Sequence, residues 1–155
     1  MGAQERLVEL ELSLPRVPTP VGSYVPAIRH GGIVRTTGQL PFRDGSLLFT
    51  GRVGVDITVE QGRAAARQSA LNALAAAAEL VGGIGNITGV IEVTGHIACA
   101  PDFAEHPAVL DGASSLMGAI FGDAGKHVRT NVGVASLPLG SPVEIGIVVT
   151  AEPQY

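Results

Sequence analysis

The sequence predicts an α+β domain, a two-layer sandwich in which two helices cover one face of a mixed β-sheet. Short β-like runs come before, between and after two stretches with helical spacing, and that order is typical of such a sandwich. The length of 155 residues matches one domain, and no interdomain linker is recognisable. We therefore assign residues 1–155 to a single domain, in which residues 1–20 form an extended strand and a proline-rich lead-in.

The N-terminal third reads as a series of short strands. Residues 7–13 alternate apolar and polar side chains, which predicts a half-buried strand, and prolines at 15, 18 and 20 extend the chain after it. Residues 25–29 and 33–37 predict two strands, and the His-Gly-Gly turn at 30–32 predicts a hairpin between them. A further short strand is predicted for residues 47–53.

Residues that are typical of helix ends predict two helices. Thr58 is a good N-cap, Gln61 can complete a capping box, and Gly82 ends the helix predicted for residues 59–80. The many alanines of this segment predict close packing against the sheet. Pro107 suits the first turn of a second helix over residues 107–121, and Gly122 suits its end.

The remaining strands are predicted at residues 90–100, 129–136 and 143–150, and the last two open with Arg129 and Glu144. A charge in a largely apolar strand costs free energy unless it has a partner or a function. If these two strands pair antiparallel, Arg129 and Glu144 lie about 23 Å apart at ~3.3 Å per residue. We therefore expect Arg129 of one subunit to meet Glu144 of a neighbouring subunit.

Composition narrows the classes of function. Hydrophobic residues make up 46% of the chain and charged residues 15%, so part of the surface is expected to be covered in a homo-oligomer. The net charge of −4 and the scattered basic residues disfavour a nucleic-acid partner. Neither a membrane span nor a signal peptide is recognisable, so we expect a cytoplasmic protein without a membrane partner. The single cysteine, Cys99, and the dispersed histidines predict no metal site.

Three motifs carry a resemblance to a known family. They are residues 22–27 (Gly-Ser-Tyr-Val-Pro-Ala), residues 36–41 (Thr-Thr-Gly-Gln-Leu-Pro) and residues 129–138, which are followed by Val-Glu-Ile at 143–145. In this order and spacing they resemble the RidA/YjgF family, also called endoribonuclease L-PSP. The resemblance covers roughly residues 24–151.

The resemblance implies a chorismate-mutase-like fold and a homotrimer with sites in the clefts between subunits. It also implies hydrolysis of reactive enamines and imines to keto acids and ammonia without a cofactor. Asn131 stands where deaminating members carry a cysteine, and residues 111–114 read Asp-Gly-Ala-Ser where the family has Asn-x-x-Tyr. These departures indicate a divergent branch.

We assign the predicted chemistry to two residues. Arg129 binds a substrate carboxylate through two parallel hydrogen bonds, and Glu144 orients or deprotonates the attacking water. The other candidate substrate-binding residues are Tyr24 as a wall of the cleft, Thr37 as a hydroxyl contact, Gly38 as a point of close backbone approach, and Asn131.

Alternative interpretations stay open at this point. Arg129 and Glu144 could form a structural ion pair between subunits, Tyr24 could be an ordinary interface aromatic, and Thr37 and Gly38 could only shape a turn. The whole protein could be a trimer that binds small carboxylates without catalysis, or an endoribonuclease as the older family name states. The acidic net charge counts against the last of these.

Overall fold

The computed structural model describes residues 1–154 and has one central sheet. Its helices are α1 (Ala3–Glu9), α2 (Val59–Val81) and α3 (His106–Phe121). The strands are β1 (Ala27–His30), β2 (Ile33–Thr36), β3 (Phe42–Arg43), β4 (Ser46–Leu47), β5 (Ile87–Ala98), β6 (Val128–Val134) and β7 (Val143–Ala151). Short 3-10 turns cover Ile84–Asn86, Gly122–Gly125 and Pro138–Gly140.

The central sheet is mixed, as predicted. Its five strands lie in the order β1-β2-β7-β5-β6, and β3 and β4 form a separate small ribbon. The β5–β6 pair is parallel, whereas the other pairs of the central sheet are antiparallel. The predicted hairpin is confirmed: His30 pairs with Ile33, and Gly31 turns the chain with a φ of +60°.

Helices α2 and α3 pack together on one face of this sheet and bury the apolar core. The predicted capping box of α2 is confirmed, since Thr58 Oγ1 accepts from Gln61 N at 3.1 Å and Gln61 Oε1 accepts from Thr58 N at 2.9 Å. The helix ends at Gly82 in the left-handed conformation. Within residues 1–154, no helix is both long and apolar enough to cross a bilayer.

The predicted strand at residues 7–13 is wrong, because α1 covers the start of this segment. Residues 1–154 thus contain three helices rather than the two predicted. Gly2 N donates to Glu5 Oε2 at 2.8 Å at the start of α1, and the helix buries Leu7. Arg6 Nη1 donates to Ala119 O of α3 at 3.5 Å. The apparent alternation belongs in part to a short helix whose one buried residue is Leu7, and residues 12–20 then continue without regular structure.

The predicted strand at residues 47–53 is also too long, because β4 ends at Leu47. Gly51 has a φ of +108° and donates its N–H to Gly140 O at 2.8 Å, so the chain turns away from the ribbon there. The strands predicted at residues 129–136 and 143–150 are present as β6 and β7, although β6 ends at Val134.

The predicted pairing of β6 with β7 is wrong, because β5 lies between them. The connection between the two strands crosses the end of β5. Cys99 N donates to Val134 O on one side at 3.1 Å, and Ala98 N donates to Pro142 O on the other at 2.9 Å. The sequence runs β6 then β7 with a short connection, but the free backbone groups of the long β5 bind both strands.

We predict that Gly112→Ala lowers the free energy of unfolding by about 1–3 kcal/mol, as overpacking does. A Cβ at Gly112 would lie 2.1 Å from the backbone oxygen of Arg63 on α2, so the two helices would have to separate. Urea unfolding measures the change.

The control is Gly118→Ala in the same helix, where a Cβ meets nothing within 4 Å. It removes the helix-disfavouring glycine and is expected to be neutral or to stabilise by up to ~1 kcal/mol. Equal stability of the two variants would contradict close α2–α3 packing at Gly112.

Candidate functional site

The face of the sheet opposite α2 and α3, here called the open face, carries a row of polar side chains. On β7 the buried residues alternate with half-buried ones, and the half-buried set includes Glu144. Glu144 is paired in register with His96 of β5, and the neighbouring residue pair on this face is Gly146 with Thr94. The open face thus presents a carboxylate at the centre of the sheet.

Glu144 lines a small cavity of about 150 Å³ on the open face. Its lining residues are Arg35, Thr36, Gly38, Glu92, Thr94, His96, Glu144, Gly146, Ile147 and Val148. The volume is sufficient for several water molecules, since a water occupies about 30 Å³ in the liquid. The cavity can therefore hold a water together with a small part of a substrate.

The loop after β2 places Gly38 directly against the Glu144 side chain. Gln39 N donates to Ile145 O at 2.8 Å and Ile145 N donates to Gln39 O at 3.0 Å, so the loop is fixed to β7. A Cβ at Gly38 would lie 2.7 Å from both Cγ and Cδ of Glu144. The structure therefore brings together two of the residues predicted from sequence, Gly38 and Glu144.

The other two predicted residues of the N-terminal motifs lie elsewhere. Thr37 is half-buried and donates its N–H to Pro26 O at 2.8 Å, whereas Thr36 supplies a hydroxyl at the cavity and accepts from Ile147 N at 3.1 Å. Tyr24 is 52% exposed and lies against Gly22. Within one chain, neither Tyr24 nor Thr37 lines the cavity that holds Glu144.

Arg129 lies on the opposite face of the sheet, beside α3. It is paired in register with the fully buried Val93 of β5, so its side chain is on the helix side. Its Nη1 donates to Asp111 Oδ1 at 2.7 Å and to Ser114 Oγ at 3.1 Å. Within one chain, the ion-pair partner of Arg129 is therefore Asp111 of α3 rather than Glu144.

His127 extends this set into a chain of hydrogen bonds, which we call the arginine network (Arg129, Asp111, Ser114 and His127). His127 Nδ1 lies 2.6 Å from Gly125 O, and a carbonyl oxygen only accepts, so we assign the proton to Nδ1. In the neutral imidazole, Nε2 then accepts from the hydroxyl of Ser114 at 2.8 Å. The Ser114 oxygen is left to accept from Arg129.

The network occupies only one end of the guanidinium. Both hydrogens of Nη1 are used, whereas Nε and Nη2 have no hydrogen-bond partner among residues 1–154. The Arg129 side chain is 26% exposed. One fork of the guanidinium, with its two donors in fixed orientation, is therefore available to a ligand.

Arg129 and Glu144 do not share a site within one chain, as predicted, but the physical reason differs. Their β5 partners are Val93 and His96, an odd number of residues apart, so the two side chains point to opposite faces. The antiparallel pairing from which their separation was calculated is wrong.

Asn131 lies on the same face as Arg129, two residues further along β6, and is paired with Gly95. Its Oδ1 is buried and has no hydrogen-bond partner among the described residues. Sequence reasoning included Asn131 but missed Asp111, Ser114 and His127 as one unit. The available signal was the spacing of Asp111 and Ser114, which places them on one face of a helix.

No group of three or more histidine, cysteine, aspartate or glutamate side chains within residues 1–154 is arranged to hold a metal ion.

Comparison with known proteins identifies similar chains. Residues 4–150 match the family model described as "YjgF/chorismate mutase-like, putative endoribonuclease". Protein TCP17 of Trypanosoma cruzi is 35% identical over 144 residues, which are 92% of this chain and 90% of that protein.

Two solved structures are similar over nearly the whole chain. A "putative endoribonuclease" from Shewanella oneidensis MR-1 has a TM-score of 0.93 at 35% identity, covering 97% of this chain and 99% of that one. The protein Atu1372 of Agrobacterium tumefaciens, described as of unknown function, has a TM-score of 0.88 at 38% identity, covering 97% and 92%.

We predict that Gly38→Ala displaces the Glu144 carboxylate while changing the free energy of unfolding by less than ~1 kcal/mol. The contact is with a side chain that can rotate away, so the fold need not adjust. A crystal structure of the variant shows the displacement, and urea unfolding measures the stability.

Gly32→Ala is the matched control, because its Cβ would make an ordinary contact of 3.7 Å with Ala151 O. It is expected to leave Glu144 in place. An unmoved carboxylate in the Gly38→Ala variant would contradict the close approach.

Proposed function

The chain belongs to the YjgF/chorismate mutase-like family, and on that premise we propose that it hydrolyses reactive enamine and imine acids to keto acids and ammonia. The proposed sites are clefts between the subunits of a homotrimer. The observation that carries the proposal is the free fork of Arg129, which matches the geometry of a carboxylate.

The arginine network supports carboxylate binding because it fixes the guanidinium before a ligand arrives. Asp111 and Ser114 hold Nη1, so Nε and Nη2 can donate two parallel hydrogen bonds in one plane. A side chain already held in its binding geometry loses less entropy when the ligand binds. Arg129 thus anchors the acid group of the substrate.

Glu144 supplies the base. Its carboxylate takes a proton from a water, whose oxygen attacks the imine carbon and forms a tetrahedral amino alcohol. Protonated Glu144 then gives its proton to the nitrogen, and its carboxylate takes the hydroxyl proton as the C–N bond breaks, so that ammonia leaves with the keto acid as the other product. The cavity beside Gly38 provides the space for this water.

A second copy of the chain completes the proposed site. Arg129 lies on the edge strand β6, whereas Glu144 lies on the open face. Exposed apolar side chains also occur on the open face, including Ile28, Ile33 and Val128. Burial of this surface against neighbouring copies would stabilise an oligomer in which the edge strand β6 of one subunit packs against the open face of another.

Binding of small carboxylates without catalysis is the second candidate function. Its specific support is Asn131, which has a buried amide oxygen where the resemblance implies a cysteine in deaminating members. The family description instead names an endoribonuclease activity. The net charge of −4 disfavours an RNA substrate.

The first test follows an imino acid generated in situ by an amino acid oxidase and measures its conversion to the keto acid. The wild type is expected to accelerate the conversion. Glu144→Gln keeps the shape but removes the base, and is expected to lower the rate about 10²–10⁴-fold. Arg129→Ala is expected to raise KM, because it removes the carboxylate anchor.

Gly32→Ala is the control and is expected to behave as wild type. A wild type that binds 2-oxobutyrate without accelerating the conversion would favour the binding function. RNA cleavage that persists in both Arg129→Ala and Glu144→Gln would favour a nuclease site elsewhere.

The second test examines the shared site by mixing subunits. At a substrate concentration well below the raised KM of Arg129→Ala, subunits of Arg129→Ala and subunits of Glu144→Gln are each expected to show little activity alone. When they are unfolded together at equal amounts and refolded, about a quarter of the sites receive both native residues, because each site draws its two residues from different subunits. Measured activity should therefore recover to about that fraction.

A monomer by light scattering at micromolar concentration, or no recovery in a mixed trimer, would contradict the shared site.

A further inference from the structure

We propose that Asp111 selects a substrate whose nitrogen is cationic, so that the carboxylate of an α-iminium acid binds Arg129 and its N–H⁺ binds Asp111. This inference rests on the proposed function and names the protonation form that the site takes. It concerns specificity, and its test differs from that of hydrolysis.

Only one of the two carboxylate oxygens of Asp111 binds another residue of the protein. Its Oδ1 accepts from Arg129 Nη1 at 2.7 Å, whereas Oδ2 has no hydrogen-bond or ion-pair partner among residues 1–154. The Asp111 side chain is 45% exposed, so Oδ2 can accept from a ligand. A free acceptor thus lies on the same carboxylate that binds Arg129 Nη1.

The pair carries both charges side by side. Asp111 offsets the field of the guanidinium, so a ligand with a carboxylate alone gains less from Arg129 than it would from an unpaired arginine. A ligand with an adjacent carboxylate and cationic nitrogen has the complementary pattern, and each group meets its opposite charge. The charge pattern of the site therefore matches an α-iminium or α-ammonium acid.

The arginine network keeps this pattern in place. Ser114 binds Arg129 Nη1 from the same helix that carries Asp111, and His127 in turn accepts from Ser114 and is held by Gly125 O. Rotation of the guanidinium toward a new ligand would break the bonds to Asp111 and Ser114 together. The two charges therefore stay at a fixed spacing, which a ligand with a different spacing would not match.

The same arrangement disfavours the product. Hydrolysis replaces the cationic nitrogen with a carbonyl oxygen, which only accepts hydrogen bonds and would face the Asp111 carboxylate. An unpaired acceptor facing a carboxylate weakens binding of the keto acid. Asp111 would therefore favour binding of the substrate and release of the product.

The test compares 2-aminobutyrate with 2-oxobutyrate, which share the carboxylate and the carbon chain and differ at the nitrogen. Calorimetric titration of the oligomer is expected to give roughly tenfold or more tighter binding of the amino acid by the wild type, the range for a hydrogen bond to a charged group. Asp111→Asn keeps an oxygen that can accept from Arg129 but removes the charge. It is expected to abolish or reverse the preference.

Asp123→Asn is the matched control, because it removes one negative charge from an exposed carboxylate that pairs only with Lys126. Its preference is expected to equal that of the wild type. The same preference ratio in wild type and Asp111→Asn, or no binding of either ligand by the wild type, overturns the inference.

The two proposals fail separately. If the wild type hydrolyses the imino acid but Asp111→Asn keeps the wild-type ratio of affinities for 2-aminobutyrate and 2-oxobutyrate, Asp111 does not select the substrate and the proposed deaminase activity stands. A shifted ratio without hydrolysis removes the deaminase and leaves Asp111 as the selecting residue of a binding protein.

Discussion

The register of β5 with its two neighbours is the constraint on which the arrangement of the site depends. Because β5 is hydrogen-bonded to β7 on one side and β6 on the other, the residues of both strands are fixed against one backbone. Arg129 and Glu144 meet β5 at positions of opposite parity and so point to opposite faces. A shift of one residue in either pairing would reverse the face of that strand, and a shift of β7 would bury Glu144 in the core. The separation of the two charges is thus as strongly determined as the core itself.

Small residues between the layers bring α3 close enough to the sheet to bind Arg129. A Cβ at Gly95 of β5 would lie 2.6 Å from Leu110, the residue before Asp111, and Gly112 follows it against α2. The helix can therefore lie close to β5 and β6 at this point. As a result, the half-exposed Asp111 and Ser114 reach a guanidinium on the edge strand. Packing of the core and geometry of the arginine network are consequences of the same close approach.

The open face and the arginine network present different kinds of chemistry. Glu144 lies in a small cavity formed by neighbouring strands and the loop at Gly38, with space for water beside a carboxylate. Arg129 lies at the edge of the sheet with donors free for an anion. In the proposed reaction one provides the base and the other the anchor, and β5 separates them within a subunit. The proposed oligomer, in which the edge strand of one subunit meets the open face of another, is the arrangement in which both could act on one substrate.

Several features followed from the sequence because they depend on neighbouring residues. The cap at Thr58, the stop at Gly82 and the hairpin at Gly31 are local patterns, and the structure confirms them. The close approach of Gly38 to a site also came from its motif, although only the fold shows that Glu144 is what it touches. The strand predicted over residues 7–13 failed because a short helix with one buried leucine has too few turns to reveal its period.

What the tertiary structure decided is long-range pairing. No local pattern indicates that β5 lies between two strands that are adjacent in sequence. The sequence alone therefore led to the wrong prediction that β6 pairs with β7. Asp111, Ser114 and His127 become partners of Arg129 only when α3 packs beside the edge strand. The sequence thus determined most of the elements and indicated Arg129 and Glu144 as candidate site residues, because these depend on local propensity and on charges placed in apolar strands. The faces on which the charges lie depend on pairing between distant segments, which only the folded chain fixes.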